Sequence, residues 1–232
     1  LSGFKKALNG VYVELNQNEL YGRSLTCEFV EILAQRYAID QEASGNYLLT
    51  QYNYIGSDAK GRISSIWSKA YNLIANTNLI LKNCEENRSV LPDDHYCLVK
   101  GEGLALRAML HFDLFRLFGP VYGKDSALTS IPYYKEFVLE VKPSLVGNEF
   151  IQEVINDLLQ AEELLQHDPI IEYGPQGDRL DNFKSDRNLR LNYYAVQALL
   201  ARVYMYRGDK VKALEYAKKV ITIQKKWFPW VD

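Results

Sequence analysis

The fifteen residues Leu104 to Phe118, LALRAMLHFDLFRLF, constrain this chain more than any other stretch. Only Arg107, His111, Asp113 and Arg116 among them are polar, so apolar side chains cover nearly the whole circumference of a helix. A helix of that kind is one that other helices surround. Upstream, Leu91-Pro92-Asp93-Asp94 offers a start, with proline near the first position and acids where the helix dipole favours negative charge. Downstream, Gly119 supplies a stop and Pro120 forbids continuation. The pattern predicts a central helix of roughly seven turns on which the others pack.

With 232 residues, 47 % of them apolar and 12 % aromatic, the chain can fill a real core, and disorder is excluded. Net charge is −2 and the basic residues are scattered singly or in short pairs, which leaves no footprint for nucleic acid. No apolar run approaches the ~18 residues of a membrane span, and no signal peptide opens the sequence. The chain begins inside an amphipathic pattern and stops after an aromatic cluster at Trp230-Val231-Asp232, which reads as a portion of something longer.

Helical spacing recurs along the sequence. It predicts helices over about 2–16, 27–38, 59–84 with Ser57 or Asp58 as cap, from Asn148 or Glu149 to before Pro169, 191–206 and 210–223. With the central helix these make seven, and no alternating strand of convincing length intervenes. The predicted fold class is all-α, built from helical hairpins with long irregular loops. In the last pair, Leu200, Ala201, Tyr204, Ala213, Ala217 and Val220 stand at tetratricopeptide offsets, and Ala105, Met109 and Phe112 follow the same logic less closely. Residues 44–58 break periodicity and read as a tyrosine-rich loop. Residues 120–146 form the longest irregular stretch, and 175–187 a solvated polar loop whose aspartates, together with nearby Asp168, lack calcium-loop spacing.

Catalytic and metal patterns are missing. Cys27, Cys84 and Cys97 form no ligand motif and read as buried free thiols, with a Cys84–Cys97 disulfide as the alternative. His95, His111 and His167 lie far apart, and His111 reads as a satisfied structural histidine. Gly56 and Gly61 have phosphate-loop separation, but Arg62-Ile63 replaces the required Lys-Ser/Thr. Glu85-Glu86 and Glu162-Glu163 belong to helix faces expected to be solvated. The chain is therefore read as a non-enzyme with no metal site and no cofactor.

Seventeen tyrosines stand beside only nine phenylalanines. A tyrosine ring offers an apolar face and a polar edge, suited to stacking on the C–H faces of sugars. Tyr193, Tyr194, Tyr204 and Tyr216 read as packed into helix interfaces. Tyr47, Tyr52 and Tyr54 are the candidate ligand-binding residues.

At Gly103 to Phe112, with Phe115 and Phe118-Gly119-Pro120-Val121 after it, the sequence resembles the SusD/RagB family of outer-membrane nutrient-binding lipoproteins. Trp67-x-x-x-Tyr71-x-x-Ile74-x-x-x-Asn78, Asp157-Leu158-x-x-Ala161-x-x-Leu164-Leu165 and Ala198 to Tyr204 extend the match in family order. Trp67, Arg107, Ala108, Phe112 and Gly119 carry the structural motif. The resemblance implies that 1–232 is the family's N-terminal helical domain, with tetratricopeptide-like pairs at about 59–118 and 190–224 and without the family's C-terminal part. It also implies glycan capture at the cell surface, a TonB-dependent transporter as partner, and membrane attachment only through a lipid anchor these residues lack. The alternative is a tetratricopeptide scaffold that binds peptides in its groove.

Overall fold

The protein, described by a computed structural model over residues 1–42 and 44–230, is all-α, with no strand beyond isolated bridges among those residues. Ten α-helices follow in order: α1 Ser2–Leu15, α2 Phe29–Leu33, α3 Gly45–Thr50, α4 Ser57–Glu86, α5 Asp93–Phe118, α6 Tyr122–Asp125, α7 Gly147–Leu164, α8 Pro169–Tyr173, α9 Tyr193–Arg207 and α10 Lys210–Trp227. Seven of these are the helices that periodicity predicts. The other three, α3, α6 and α8, span six, four and five residues. The second predicted helix shrinks to α2, because Gln35 turns left-handed at φ 58°.

The chain divides into two compact units, one of Asn9–Leu73 and one that joins Leu1–Leu8 to the residues from Ile74 onward. In the larger unit α5 is the centre, and every residue from Leu104 to Phe115 except Met109 is buried. Helix α7 packs along α5 and α9, and α9 pairs with α10. Close helix approach explains Gly101 and Gly103: a Cβ there would stand 2.7 Å from Leu165 and 2.9 Å from Leu81. Gly208, at φ 90°, makes the left-handed turn from α9 into α10, and the Asp209 side chain caps α10 by accepting from the Lys212 N–H at 3.1 Å.

Gly119 ends α5 as expected, without a left-handed turn. Its φ of −83° and ψ of 174° are extended. Glycine is needed for space, since a Cβ would lie 2.6 Å from the Phe115 carbonyl oxygen and 2.9 Å from its ring. Ser57 and Asp58 stand inside the first turn of α4 instead of capping it. Pro169 opens α8 where it was read as a stop, and Asp168 caps that helix by accepting from the Ile170 N–H at 3.0 Å.

The polar stretch after α8 is a solvated loop only in part. Arg187 is fully buried, with Nε and Nη2 donating to the two oxygens of Asp168 at 2.9 and 2.7 Å and Nη1 donating to Glu102 at 2.5 Å. Burial opposes the charge on Arg187, but the two carboxylates outweigh it and raise the pKa. Asp181 accepts from Lys5 at 3.0 Å and lies 2.7 Å from His95 Nε2. The carboxylate pair at Glu162-Glu163 is likewise partly structural, because Glu162 accepts from Gln197 and Tyr216 at 3.0 Å each. All three cysteines are free. Cys84 is buried, which pushes its thiol up to about 11, Cys97 is half-buried, and Cys27 is exposed where a buried thiol was expected.

Candidate functional site

The tyrosine-rich stretch lies in the smaller unit, and part of it is helix. Ser44 caps α3 by accepting from the Tyr47 N–H at 3.1 Å, so Tyr47 sits half-buried on the first turns of a helix too short to show a period. After α3 ends, Tyr52 takes a left-handed backbone at φ 54°, uncommon for a residue with a side chain. That turn projects the ring outward, and the hydroxyl reaches back to donate to the Leu33 carbonyl at 3.3 Å.

Tyr52 is 53 % exposed and Tyr54 45 %. Their ring centroids are 6.5 Å apart with planes tilted by 52°. Partial burial and the neighbouring Tyr52 raise the Tyr54 phenol above its ordinary pKa, so its hydroxyl stays a protonated donor at neutral pH. Two open, angled rings next to each other form a platform that can meet the apolar face of a flat ring ligand. Tyr47 stands apart from this pair.

The motif residues serve the scaffold. Trp67 packs against Tyr71 with centroids 4.8 Å apart. Ala108 and Phe112 are buried in α5, and the Tyr206 ring meets Phe112 edge-on at 5.3 Å. Arg107 holds Asp157 through two bonds of 2.7 Å, and its Nη1 donates to Asn78 Oδ1 and to the Lys135 carbonyl at 2.9 Å each. Tyr133 adds a 2.6 Å hydroxyl bond to Asp157, and Asn78 donates to the Tyr134 carbonyl at 2.9 Å.

His111 joins the same network. Its Nε2 accepts from the Tyr134 N–H at 3.0 Å and its Nδ1 donates to the Arg107 carbonyl at 2.9 Å. That pattern requires the neutral ring, in keeping with complete burial that pushes its pKa down to about 3. The polar strip of α5 thus fastens the irregular 131–137 segment along α5. Sequence reasoning singled out Arg107 and His111 as structural, but it did not name Asp157, Asn78 and Tyr133 as their partners. Among the described residues no group of three or more His, Cys, Asp or Glu side chains is placed to hold a metal.

The model of a SusD-like family, described as starch-binding and associating with the outer membrane, matches residues 3–205. The chain belongs to the SusD-like family. A SusD-like protein, P2, of Formosa agariphila is 27 % identical over 217 residues, covering 93 % of this chain and 38 % of that protein. A SusD superfamily structure from Bacteroides thetaiotaomicron matches with a TM-score of 0.77 at 24 % identity, over 99 % of this chain and 48 % of the other. A laminarin binding SusD-like protein matches at 0.68 and 17 %, over 95 % and 43 %. The last two likenesses carry the fold alone. The chain spans less than half the length of these SusD-like relatives. No helix among the described residues is long and apolar enough to cross a membrane.

Proposed function

We propose that this chain is the N-terminal helical domain, residues 1–232, of a cell-surface protein that captures oligosaccharides and hands them to a TonB-dependent outer-membrane transporter. The observation that carries the reading is the exposed pair Tyr52 and Tyr54, tilted at 52° and held on a helical scaffold of a family described as starch-binding. Capture needs no bond-making. The rings stack on sugar C–H faces, and the phenol hydroxyls and neighbouring polar groups hydrogen-bond sugar hydroxyls. The family's description as associating with the outer membrane supports attachment there, through a lipid anchor outside these residues.

The test is calorimetric titration of wild type, Tyr52→Ala and Tyr54→Ala with maltoheptaose and laminarihexaose. Binding by wild type that weakens in both variants at unchanged melting temperature supports the reading. Equal affinity in all three removes the tyrosine pair from the site, and no binding of either glucan by wild type counts against a glucan ligand for this portion.

A further inference from the structure

The smaller unit also contains a cavity of about 540 Å³ between the 16–28 segment and the first turns of α4. Ten residues line it. Nine have polar side chains and the tenth is Gly61, so no apolar side chain faces the space. The carbon stems of these side chains still line part of the space, so a ligand there meets both hydrocarbon and hydrogen-bonding groups, and it is the latter that can select it. Ser57, Gly61 and Ser65 stand on successive turns of one face of α4 and give it a floor of small groups.

The charged groups around that floor are held in place by one another. Arg23 Nε lies 2.8 Å from Glu28, and Arg62 Nε lies 3.1 Å from Asp58. Arg62 Nη1 is buried 3.5 Å from Glu28, an ion pair that adds no hydrogen bond and bridges the two walls. Three carboxylates, Glu19, Glu28 and Asp58, face two guanidinium groups, Arg23 and Arg62, which disfavours an anionic ligand. Asp58 also lies against the start of α3, where a Cβ on Gly45 would stand 2.2 Å from its carboxylate. The cavity and the tyrosine stretch therefore share a side chain.

We propose that this cavity, lined by polar residues, is a second contact for the same ligand, taking the hydroxyl edge of an uncharged polysaccharide while the tyrosine pair takes a ring face. The inference rests on the carbohydrate reading above. Alternating donors and acceptors at fixed positions match vicinal hydroxyls, each of which donates and accepts. Sulfated or uronic chains are excluded by the carboxylate surplus.

Gly61→Gln tests it. Nothing lies within 4 Å of a Cβ placed there, so the new side chain starts into open space at the cavity, and glutamine favours helix more than glycine does. The full chain is titrated with laminarihexaose, maltoheptaose and polygalacturonate, beside Gly61→Ala and Tyr52→Ala. The expected result is an affinity for the neutral glucan at least about 5-fold weaker in Gly61→Gln, at an equal or higher melting temperature, with Gly61→Ala close to wild type. Wild-type affinity in Gly61→Gln together with loss in Tyr52→Ala overturns the cavity and leaves the tyrosine reading standing. No glucan binding by wild type defeats the carbohydrate reading first. Tighter binding of polygalacturonate than of either glucan overturns the assigned ligand class.

Discussion

Arg107 closes on Asp157 with two parallel hydrogen bonds of 2.7 Å across 50 residues of chain, and both side chains are buried. Removing one partner leaves the other as an unpaired charge in the core. Asp157→Ala is expected to cost about 3 to 5 kcal/mol. Arg107→Lys is not a conservative change, because an ammonium cannot keep the paired bonds while also serving Asn78 and the Lys135 carbonyl. Urea unfolding of both variants checks this, and a loss below about 1 kcal/mol in Asp157→Ala would show that the pair is dispensable.

Acid should loosen the fold in two steps. His111 is neutral in the folded state with its pKa pushed down to about 3, while an unfolded histidine takes a proton near pH 6.5. Its contribution is complete above about pH 6.5 and is lost as pH falls toward 3, by up to about 1.4 kcal/mol per pH unit. From about pH 4 downward Asp181 joins. Burial alone would raise its pKa, but the Phe183 N–H, Lys5 and His95 outweigh burial and lower it to about 2. Its stabilisation is present above about pH 4 and lost as pH falls through 2. Urea midpoints at pH 7.5 and 5.0 should fall apart in wild type and approach each other in His111→Asn.

Tyr52→Ala or Tyr54→Ala should weaken glucan binding by roughly 1 to 2 kcal/mol, from lost ring area and one hydroxyl contact, at nearly unchanged thermal stability. Tyr47 should behave otherwise. Half-buried on α3, its replacement by alanine is expected to lower the melting temperature before it changes affinity. Parallel titration and melting of the three variants separates the two behaviours.

Phe112 is 1 % exposed in the middle of α5, with Tyr206 edge-on at 5.3 Å. Phe112→Ala should cost on the order of 3 to 5 kcal/mol. A change under about 1 kcal/mol would mean that α5 is peripheral, against the burial described above.

The helices legible in the sequence are those long enough to repeat. Leu104 to Phe118 shows its burial through an almost unbroken apolar surface, and the α9 and α10 pair shows its turn through Gly208. Helix α3 was missed because six residues make fewer than two turns, and α8 because Pro169 reads equally well as a stop or a first residue. The buried part of 175–187 is not legible for a related reason. Charge alone does not say whether a residue has a buried partner, and Glu102, the partner of Arg187, lies 85 positions away. At the candidate site, composition singled out the three tyrosines. That two of them stand open depends on the left-handed turn at Tyr52, a conformation glycine would have announced and tyrosine does not.

The buried contact between Glu102 and Arg187 also dictates timing. At a synthesis rate of about 5 to 20 residues per second, Glu102 leaves the ribosome roughly 4 to 17 seconds before the arginine that neutralises it. A carboxylate cannot enter a closed core alone, so the turn of α5 that carries Glu102 has to stay hydrated for that interval. The long central helix therefore finishes docking after chain elongation has passed Arg187, and a nascent chain stalled before that residue should expose α5 to protease where the completed one does not.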